Sequence, residues 1–421
     1  MDISARRRRL RDHAPALVDR YGSPLYVFFE SDLRENYRTL RRALDAYYPD
    51  STVHFATKAN YNLGVLSVLR DAGCHAEAYA RCELSAIRAA GFDASDVLLT
   101  GLNRREANVE RALEWGVERL LVDNATELDR VAAAARATDT DPDVLVRANP
   151  AMAVPTNPEV ATATRQTKFG LDVESGRAMA VARAAADADR VSLVGVQLHL
   201  GSQIRDPEPY AVAADALCAF AADVRDELGI ELGVLDLGGG FPVPYDGAVP
   251  GTATIVETLA TGVSEACEEY GLTRPHLFLE PGRRLVGNAG TILGTVGVLK
   301  ETPYANFAVL DAGTNAVSSY WPYPIYTLPD RDGEREYHVA GPLCYSGDVI
   351  QEDVRLPPLE RGDLLAVDRV GAYSLGSATH TNAEPKPPVV LVREDGTPDL
   401  VREGETCEDV LGSDRVPDDL A

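Results

Sequence analysis

Three short apolar runs between residues 192 and 282 decide the fold: SLVGVQLHLG (192–201), VLDLGGGF (234–241) and HLFLEPG (276–282). Each run has the length of a strand and ends in polar or glycine residues, and the segments between them carry apolar residues at helical spacing. Strands that alternate with helices pair in parallel, because each crossover helix returns the chain to the same end of the sheet. The stretch therefore predicts part of an α/β fold.

Five more runs of the same kind precede this stretch, which makes eight strand candidates in all. They are VHFATK (53–58), HAEAYA (75–80), DVLLTG (96–101), RLLVDN (119–124) and DVLVRAN (143–149). Eight strand–helix units predict a closed (β/α)₈ barrel of the TIM type, for which we expect residues 30–295. A doubly wound sheet would use fewer strands and would usually begin with a glycine-rich turn.

After about residue 295 the helical periodicity fades and proline and glycine punctuate β-rich runs. These runs are FAVLDAG (307–313), EYHVAG (336–341), DLLAVDRVGAY (363–373) and PPVVLVRE (387–394). They predict a second, antiparallel β domain over residues 296–421. The early segment SPLYVFF (23–29) is a strand candidate for the same domain, so residues 1–29 are assigned to it as well.

Charge excludes one class of partner. The chain has 65 acidic and 41 basic residues and a net charge of −24, whereas nucleic-acid binding requires a basic surface. A strongly acidic chain with few lysines is typical of salt-loving organisms, where salt screens the self-repulsion. The same balance also fits an acidic enzyme from an ordinary source.

Location and metal binding follow from the absence of particular patterns. No apolar run approaches the roughly 18 residues that span a bilayer, so we expect no membrane contact. The basic start MDISARRRRLRDHAP is not followed by an apolar region, so it is not a signal peptide, and its arginines are expected to decorate a first helix. The six cysteines match no zinc spacing. We therefore expect a reduced, cytoplasmic protein without a metal.

The candidate active site lies where the strands end, because (β/α)₈ enzymes carry their chemistry at the carboxyl ends of the strands. Lys58, His199, the triplet Gly238–Gly240 and Glu280 all occupy such positions. Arg147 and Asn149 end the fifth strand candidate. In a barrel, all of these positions lie on the same rim. Their shared location supports a functional role more strongly than any one of these residues does alone.

Each of these residues also has a structural explanation. Lys58 is either a solvated strand end or a desolvated amine that attacks an aldehyde cofactor. His199 either stacks on an aromatic cofactor, donates a proton or satisfies the core. The three glycines either form a tight turn or let backbone amides approach a phosphate, with Gly201 and Ser202 as further contacts.

Glu280 and Arg283 belong to one EPGR turn, and they also allow two interpretations. Glu280 either pairs with Arg283 or keeps a cofactor's pyridine nitrogen protonated. Arg283 would then bind a phosphate or a carboxylate, which suits its planar fork. In the β domain, Tyr373 has a hydroxyl that needs a partner, and Cys344 is either a proton donor or a packed small residue.

Nine segments occur in an order that resembles the fold-type III pyridoxal-phosphate decarboxylases, and among them the diaminopimelate decarboxylases. They are FATKAN, VRANP, TKFG, QLHLGSQ, LDLGGGFP, EPGR, LDAGTN, GPLCYSGD and GAY. The resemblance extends from about residue 21 to about residue 392. Single segments are weak signals, but nine in order are specific. The alanine-racemase-like fold of this family, a barrel with a β domain, agrees with the prediction above.

The resemblance implies a role for each matching position. Lys58 would hold pyridoxal 5′-phosphate covalently, His199 would stack on its ring, and Glu280 would pair with its ring nitrogen. Cys344 of a second subunit would protonate the product, so the active site would be shared across a homodimer. The remaining cofactor contacts implied are Ser202, Gly239, Gly240, Gly282, Arg283 and Tyr373. The substrate contacts implied are Arg283, Tyr345, Asp348 and Tyr373.

The sequence differs from the family's usual segments mainly at positions that bind the substrate. The loop that usually reads Cys-Glu-Ser-Gly-Asp has Tyr345 in place of its glutamate. The segment DAGTNAVSSYWPYPIY (311–326) lacks the arginine that usually binds the distal carboxylate. The usual Tyr-Asn after GAY reads His380-Thr381-Asn382, and the usual Ser-Gly-Gly-Glu-Leu reads ARCEL (80–84). Tyr320, Trp321 and Tyr323 join Tyr345 as an aromatic wall, which favours a different or larger amino acid.

The sequence therefore predicts decarboxylation of a small amino-acid substrate with altered recognition of its far end. Three alternatives stay open. They are diaminopimelate decarboxylation proper in lysine biosynthesis, amino-acid racemisation, and a non-catalytic homologue that holds the cofactor. A racemase needs a base on each face of the cofactor, and a non-catalytic homologue usually loses the lysine or the cysteine, both of which remain here.

Overall fold

The computed structural model describes residues 3–152 and 162–420. The chain forms two compact units, a barrel unit and a β unit. The barrel unit comprises residues 33–244 and 248–285. The β unit comprises residues 1–32, 245–247 and 286–421.

The chain begins in the β unit with helix α1 (Ile3–Tyr21) and strand β1 (Leu25–Phe29). Every residue of β1 is buried, as the apolar composition of SPLYVFF predicts. Strand β1 pairs antiparallel with one later strand and parallel with another. The early segment is thus an internal strand of a sheet whose other strands all come from the C-terminal part of the chain.

Eight parallel strands form the barrel, and they match the eight predicted runs. They are β2 (Ser51–Ala56), β3 (His75–Ala78), β4 (Val97–Leu99), β5 (Arg119–Val122), β6 (Asp143–Asn149), β8 (Ser192–Gln197), β9 (Val234–Asp236) and β10 (His276–Leu279). The short strand β7 (Leu171–Asp172) pairs in parallel with the end of β6. The spatial order is β5-β4-β3-β2-β10-β9-β8-β6, and pairing of β5 with β6 closes the ring. The predicted barrel is confirmed.

Helices connect the strands as the periodicity predicts. They are α2 (Glu30–Tyr47), α3 (Leu63–Asp71), α4 (Arg81–Ala89), α5 (Glu106–Trp115), α6 (Ala125–Thr138), α7 (Arg177–Asp187), α8 (Glu208–Leu228) and α9 (Thr252–Tyr270). Local sequence sets several boundaries. The Asn62 side chain accepts the backbone N–H groups that open α3, which is the usual role of an N-cap. Gly116 ends α5 in the left-handed conformation (φ 100°).

An apolar layer fills the middle of the barrel. It contains Leu98, Leu121, Leu145 and Phe278, with Val234 packed against them. Side chains two residues apart on a strand face the same side, so the residues two positions beyond this layer also point inward. Those positions include Asp236 on β9 and Glu280 after β10. The fold thereby places carboxylates on an apolar floor at the carboxyl end of the strands.

The β unit contains one nine-stranded sheet. Besides β1 it consists of β11 (Gly290–Glu301), β12 (Asn306–Leu310), β13 (Ile325–Thr327), β14 (Arg335–Ala340), β15 (Val349–Leu356), β16 (Leu364–Asp368), β17 (Val389–Val392) and β18 (Pro398–Arg402). Most pairings are antiparallel, as predicted, but β1–β17 and β12–β14 are parallel, so the sheet is mixed. Two short α-helices are α10 (Arg283–Val286) and α11 (Cys407–Leu411).

One arginine of α1 does not decorate the surface as expected. Arg6 is 4% exposed and binds the buried carboxylates of Asp32 and Asp368, the latter at 2.7 Å from Nε to Oδ1. Its remaining nitrogen donates to the hydroxyl of Thr291 at 2.9 Å. This buried ion cluster joins α1 to the β sheet. The basic run at the N-terminus therefore has a structural role inside the unit.

Replacing Arg6 with alanine should destabilise the chain by about 3–5 kcal/mol, because buried Asp368 would lose its ion pair with Arg6 and buried Asp32 would keep only its ion pair with Arg9. Urea unfolding followed by circular dichroism measures this loss. Arg8, which is exposed on the same helix, is the matched control, and its alanine variant should change stability little. Equal unfolding midpoints for the two variants would show that the Arg6 cluster contributes no net stability.

Candidate active site

Lys58 lies in a one-turn 3₁₀ helix (Thr57–Ala59) that follows β2 directly. Its Nζ is 3.2 Å from Oε2 of Glu77, a residue of β3 that is 1% exposed. The other oxygen of Glu77 accepts a hydrogen bond from the hydroxyl of Thr100. The carboxylate is thus fixed from both sides, and it holds the lysine amine at the mouth of the barrel.

Glu280 is buried directly after β10, with 5% of its surface exposed. Its Oε2 accepts a hydrogen bond of 3.1 Å from Nε2 of Gln197, whereas Oε1 has no partner among the described residues. Burial and the nearby Glu77 carboxylate raise the pKa of Glu280 to about 7, against the opposing charges of Lys58 and Arg147. A buried carboxylate with one open oxygen favours a cationic partner at that point.

Asp236 adds a third buried carboxylate at the end of β9. It is fully buried, its Oδ1 accepts the N–H of Gly238 at 2.8 Å, and its Oδ2 has no partner within the described ranges. Burial and the charge of Glu280 raise the pKa of Asp236 well above its ordinary value. Together with Lys58 and Arg147, these groups form a charged cluster, and Asp123, whose Oδ2 lies 3.4 Å from Nη1 of Arg147, adds a fourth acid.

His199 follows β8 and opens partly to solvent. Its Nδ1 accepts the backbone N–H of Gly239 at 3.2 Å, which fixes the plane of the ring. Burial, together with the positive charges of Lys58 and Arg147, lowers the pKa of His199 well below its ordinary value. The imidazole is therefore neutral at physiological pH and presents a flat, uncharged face.

The glycine triplet brings the backbone closer to its neighbours than a side chain would allow. A Cβ on Gly239 would lie 2.3 Å from the carbonyl oxygen of Glu280, and one on Gly240 would lie 2.8 Å from that of Gly201. Gly240 also has a φ of +92°, which favours glycine. Both positions therefore require glycine, because a side chain on either residue would overlap the neighbouring backbone.

Arg283 and Ser202 meet beside this glycine turn. The Nε of Arg283, a residue 7% exposed, donates to Oγ of Ser202 at 3.2 Å. A Cβ on Gly282 would lie 3.0 Å from Cβ of Ala59, the neighbour of Lys58. The barrel unit thus brings the glycine turn, Ser202 and Arg283 close to the strand ends that carry Lys58, His199 and Glu280. Asn149 instead bonds its own loop, through the carbonyl of Thr164 and the N–H of Ala151.

The remaining predicted residues lie in the β unit. Tyr373 is half-buried with a φ of +59°, an uncommon backbone conformation for a bulky residue. Cys344 is exposed, and its N–H donates to Oδ1 of Asn382 at 2.9 Å. Tyr345 is 59% exposed. Asp348 is 3% exposed, and it accepts hydrogen bonds from Thr314 and from the N–H of Leu343, so its carboxylate shapes the loop that carries Cys344.

The aromatic residues of the predicted wall separate into two kinds. Tyr323 is 1% exposed and packs edge-on against Tyr245, so it is a core residue of the β unit. Trp321 stacks on Tyr245 with ring centroids 5.4 Å apart, and Tyr320 packs against Trp321. Only Tyr320 and Tyr345 of the four are largely exposed.

Sequence reasoning missed three residues of the site. Glu77, Asp236 and Gln197 point into the barrel from within strand runs, next to the positions that were predicted. The sequence did contain a sign of these residues, because a charged or amide side chain within an otherwise apolar strand needs a buried partner. Each also lies an even number of residues from a neighbour that faces the interior, as Asp236 does from Val234.

No group of three or more histidine, cysteine or carboxylate side chains within residues 3–152 and 162–420 is arranged to hold a metal ion. In the same ranges, no helix has the length and apolar character needed to cross a bilayer.

A barrel with a lysine amine, a neutral imidazole and buried carboxylates at the carboxyl ends of its strands defines a pyridoxal-phosphate enzyme of the barrel class. The open oxygen of Glu280 matches a protonated ring nitrogen, and the Gly239–Gly240 turn with Ser202 and Arg283 matches a phosphate, so these residues fit the cofactor.

Comparison with known proteins places the chain within this class. The profile described as the pyridoxal-dependent decarboxylase, pyridoxal binding domain, matches residues 30–287. The chain belongs to this decarboxylase family. It is a pyridoxal-phosphate-dependent amino-acid decarboxylase, and its cofactor is pyridoxal 5′-phosphate.

Individual relatives match over nearly the whole chain. Diaminopimelate decarboxylase of Methanothermobacter thermautotrophicus is 37% identical, with 96% of this chain and 94% of that protein covered. The crystal structure of diaminopimelate decarboxylase from Methanocaldococcus jannaschii in complex with L-lysine has a TM-score of 0.90 at 32% identity and covers 97% of this chain and 95% of that one. A lysine/ornithine decarboxylase of Vibrio vulnificus in complex with putrescine has a TM-score of 0.79 at 26% identity and covers 90% and 97%.

Replacing Glu280 with glutamine should stabilise the cofactor-free protein and impair the enzyme. The folded-state pKa of Glu280, about 7, exceeds its ordinary value of 4.5, so the unfavourable contribution is absent below pH 4.5 and complete above pH 7. The 2.5-unit difference corresponds to about 3 kcal/mol of destabilisation at pH 8. The glutamine variant should therefore melt higher at pH 8, while activity falls by about a hundredfold or more.

Thermal melts from pH 4 to pH 8 and a decarboxylation assay measure both effects. The exposed Glu257 on α9 is the matched control, and its glutamine variant should change neither property. An unchanged melting temperature of the Glu280 variant at pH 8 would contradict the raised pKa.

Proposed function

We propose that Lys58 holds pyridoxal 5′-phosphate and that the residues around it remove the α-carboxylate of an amino acid. The observation that carries this proposal is the buried carboxylate of Glu280, which has one open oxygen and lies in the field of Glu77 and Lys58. A cation beside that oxygen would offset the unfavourable free energy of burying the Glu280 carboxylate.

Glu280 is proposed to contact the nitrogen of the cofactor's pyridine ring, and His199 is proposed to contact the face of that ring. The Glu280 carboxylate keeps the ring nitrogen protonated, because a nearby negative charge favours the charged form of a base. Neutral His199 packs its face on the ring without adding a charge that would oppose this protonation. Gln197 orients Glu280 through its hydrogen bond, and Gly239 orients His199.

The phosphate is proposed to bind at the glycine turn. The amide of Gly240, the hydroxyl of Ser202 and the guanidinium of Arg283 supply donors. Gly239, whose own N–H donates to His199, and Gly282 contribute through their lack of a side chain. Tyr373 is proposed as a further contact from the β unit. Arg283 also has the fork geometry to bind a substrate carboxylate.

When bound, the cofactor supplies an electron sink for the pair of electrons that the departing carboxylate leaves behind. Nζ of Lys58 and Oε2 of Glu77, 3.2 Å apart, are proposed to share a proton, so that the lysine amine can take a proton from the substrate's amino group or return one. Cys344 is proposed to deliver a proton from its thiol to the substrate carbon that has lost carbon dioxide. Asp348 is proposed to act on the substrate indirectly, since it holds the Cys344 loop.

The substrate is proposed to differ from diaminopimelate at its far end. Several relatives are diaminopimelate decarboxylases, but Tyr345 replaces the usual glutamate and residues 311–326 contain no arginine. A distal carboxylate buried without its arginine would lose charge-assisted hydrogen bonds. The exposed rings of Tyr320 and Tyr345 favour an apolar or aromatic group in that place.

A panel of amino acids, with carbon dioxide release as the readout, tests the activity and the substrate separately. We expect release from at least one amino acid, and diaminopimelate should have a kcat/KM at least about tenfold below the best substrate. Lys58→Ala should abolish release throughout the panel. Lys300→Ala is the matched control, since this lysine is exposed in the β unit.

Each result of the panel has a distinct consequence. Diaminopimelate as the best substrate would overturn the substrate proposal and leave the decarboxylase intact. Loss of chirality at Cα without carbon dioxide would indicate a racemase. No turnover of any amino acid by protein with bound cofactor would contradict the catalytic roles.

We further propose that two copies of the chain share their active sites, with Cys344 of one copy serving the Lys58 site of the other. Equal amounts of Lys58→Ala and Cys344→Ala chains, unfolded and refolded together, should recover about a quarter of the wild-type activity, because half of the dimers would carry one intact site. No recovery, with both variants inactive alone and dimeric by sedimentation, would contradict a shared site. The cytoplasmic location and the salt-loving source stay predictions.

A further inference from the structure

A cavity lies within the barrel unit, between helices α4 and α5. Its volume is about 870 Å³, which is within the range of small-molecule sites. The α4 side is lined by Arg81, Ser85 and Arg88, and the α5 side is lined by Asn108, Arg111 and Trp115. Lys58 does not line it, although Tyr79, two residues after Glu77, does.

The spacing of the lining residues shows that one face of each helix borders the cavity. On α4 they are separated by four and three positions, and on α5 by three and four, which places each set on one side of a helix. Consecutive helices of a barrel normally bury such faces against each other. Here both faces are polar, and they leave a space between them.

The cavity is cationic although the chain as a whole carries a net charge of −24. Arg81, Arg88 and Arg111 are exposed side chains, and no ion pair in the described chain neutralises them. Arg104 also lines the cavity, but Glu127 and the carbonyl oxygens of Leu99 and Leu121 bind its guanidinium. Three uncompensated guanidinium groups therefore surround one concave space.

Aromatic surface completes the cavity. Trp115 is half-buried and offers a flat wall, and the guanidinium of Arg88 lies 5.6 Å from its ring centroid. Ser85 and Asn108 add hydrogen-bonding groups on opposite sides. Among the described residues of the lining, Glu114 is the one acidic side chain, against four arginines, so the net charge of the lining is positive.

We propose that this cavity binds a small organic anion with at least two negative charges, carried by phosphoryl or carboxylate groups. Arginine forks bind both groups with paired hydrogen bonds, and converging positive charge in a concave surface concentrates such anions. A merely solvated helix face would present its arginines on a convex surface, without an aromatic wall. The proposal is independent of the substrate of the Lys58 site.

Fluorescence of Trp115 in the cofactor-loaded enzyme tests the proposal. Trp115 and Trp321 are the two tryptophans of the chain, so a Trp321→Phe background leaves Trp115 as the reporter. Pyrophosphate and citrate are titrated separately at constant ionic strength, and isothermal calorimetry repeats each titration without relying on the tryptophan. We expect saturable binding of at least one probe, and the stronger probe identifies the phosphoryl or the carboxylate source.

A double variant, Arg81→Gln with Arg111→Gln, should weaken that binding by about tenfold or more, because two charged contacts are lost. Arg136→Gln, an exposed arginine on α6, is the matched control and should leave binding unchanged. The absorbance of the bound cofactor verifies that each variant is folded, and the single variants replace the double variant if it does not fold. No saturable binding of either probe, or equal weakening in the Arg136 variant, would overturn the proposal.

Discussion

The burial of three carboxylates on an apolar floor is the constraint on which the active site depends. Glu77, Asp236 and Glu280 point into the barrel above the layer that contains Phe278, and all three are nearly or fully buried. Burying a charge is unfavourable unless it is paired. Lys58 and Arg147 offset part of this cost, and the cofactor's protonated ring nitrogen is proposed to offset a further part. The same unfavourable energy that lowers the stability of the cofactor-free barrel thus favours binding of the cofactor.

The glycine turns follow from the same constraint. The carbonyl of Glu280 lies where a side chain on Gly239 would stand, so the loop after β9 and the loop after β10 approach through backbone alone. This contact fixes Glu280 relative to His199, whose ring accepts the Gly239 N–H. One backbone contact at Gly239 therefore positions both Glu280 and His199, which are proposed to contact the cofactor ring. Substitution of Gly239 would disturb both residues.

Sequence predicted the barrel because strand and helix periods alternate eight times, and it predicted Lys58, His199 and Glu280 because each directly follows a strand. It did not predict Glu77 or Asp236, since their importance depends on which side of a strand faces the interior. Nor did it predict the burial of Arg6, whose partners Asp32 and Asp368 are distant in the chain. The parallel pairings of β1–β17 and β12–β14 were missed for a similar reason, because antiparallel and parallel partners share the same local pattern.

The central claim, that Lys58 is the residue that holds the cofactor, has a direct test. The chain has four lysines, Lys58, Lys168, Lys300 and Lys386. Borohydride reduction of the cofactor-loaded protein makes the attachment permanent, and mass spectrometry of its peptides then identifies the modified residue. The structure predicts a single modified lysine, Lys58, in stoichiometric yield. Modification of Lys168, Lys300 or Lys386 with Lys58 unmodified would contradict the claim.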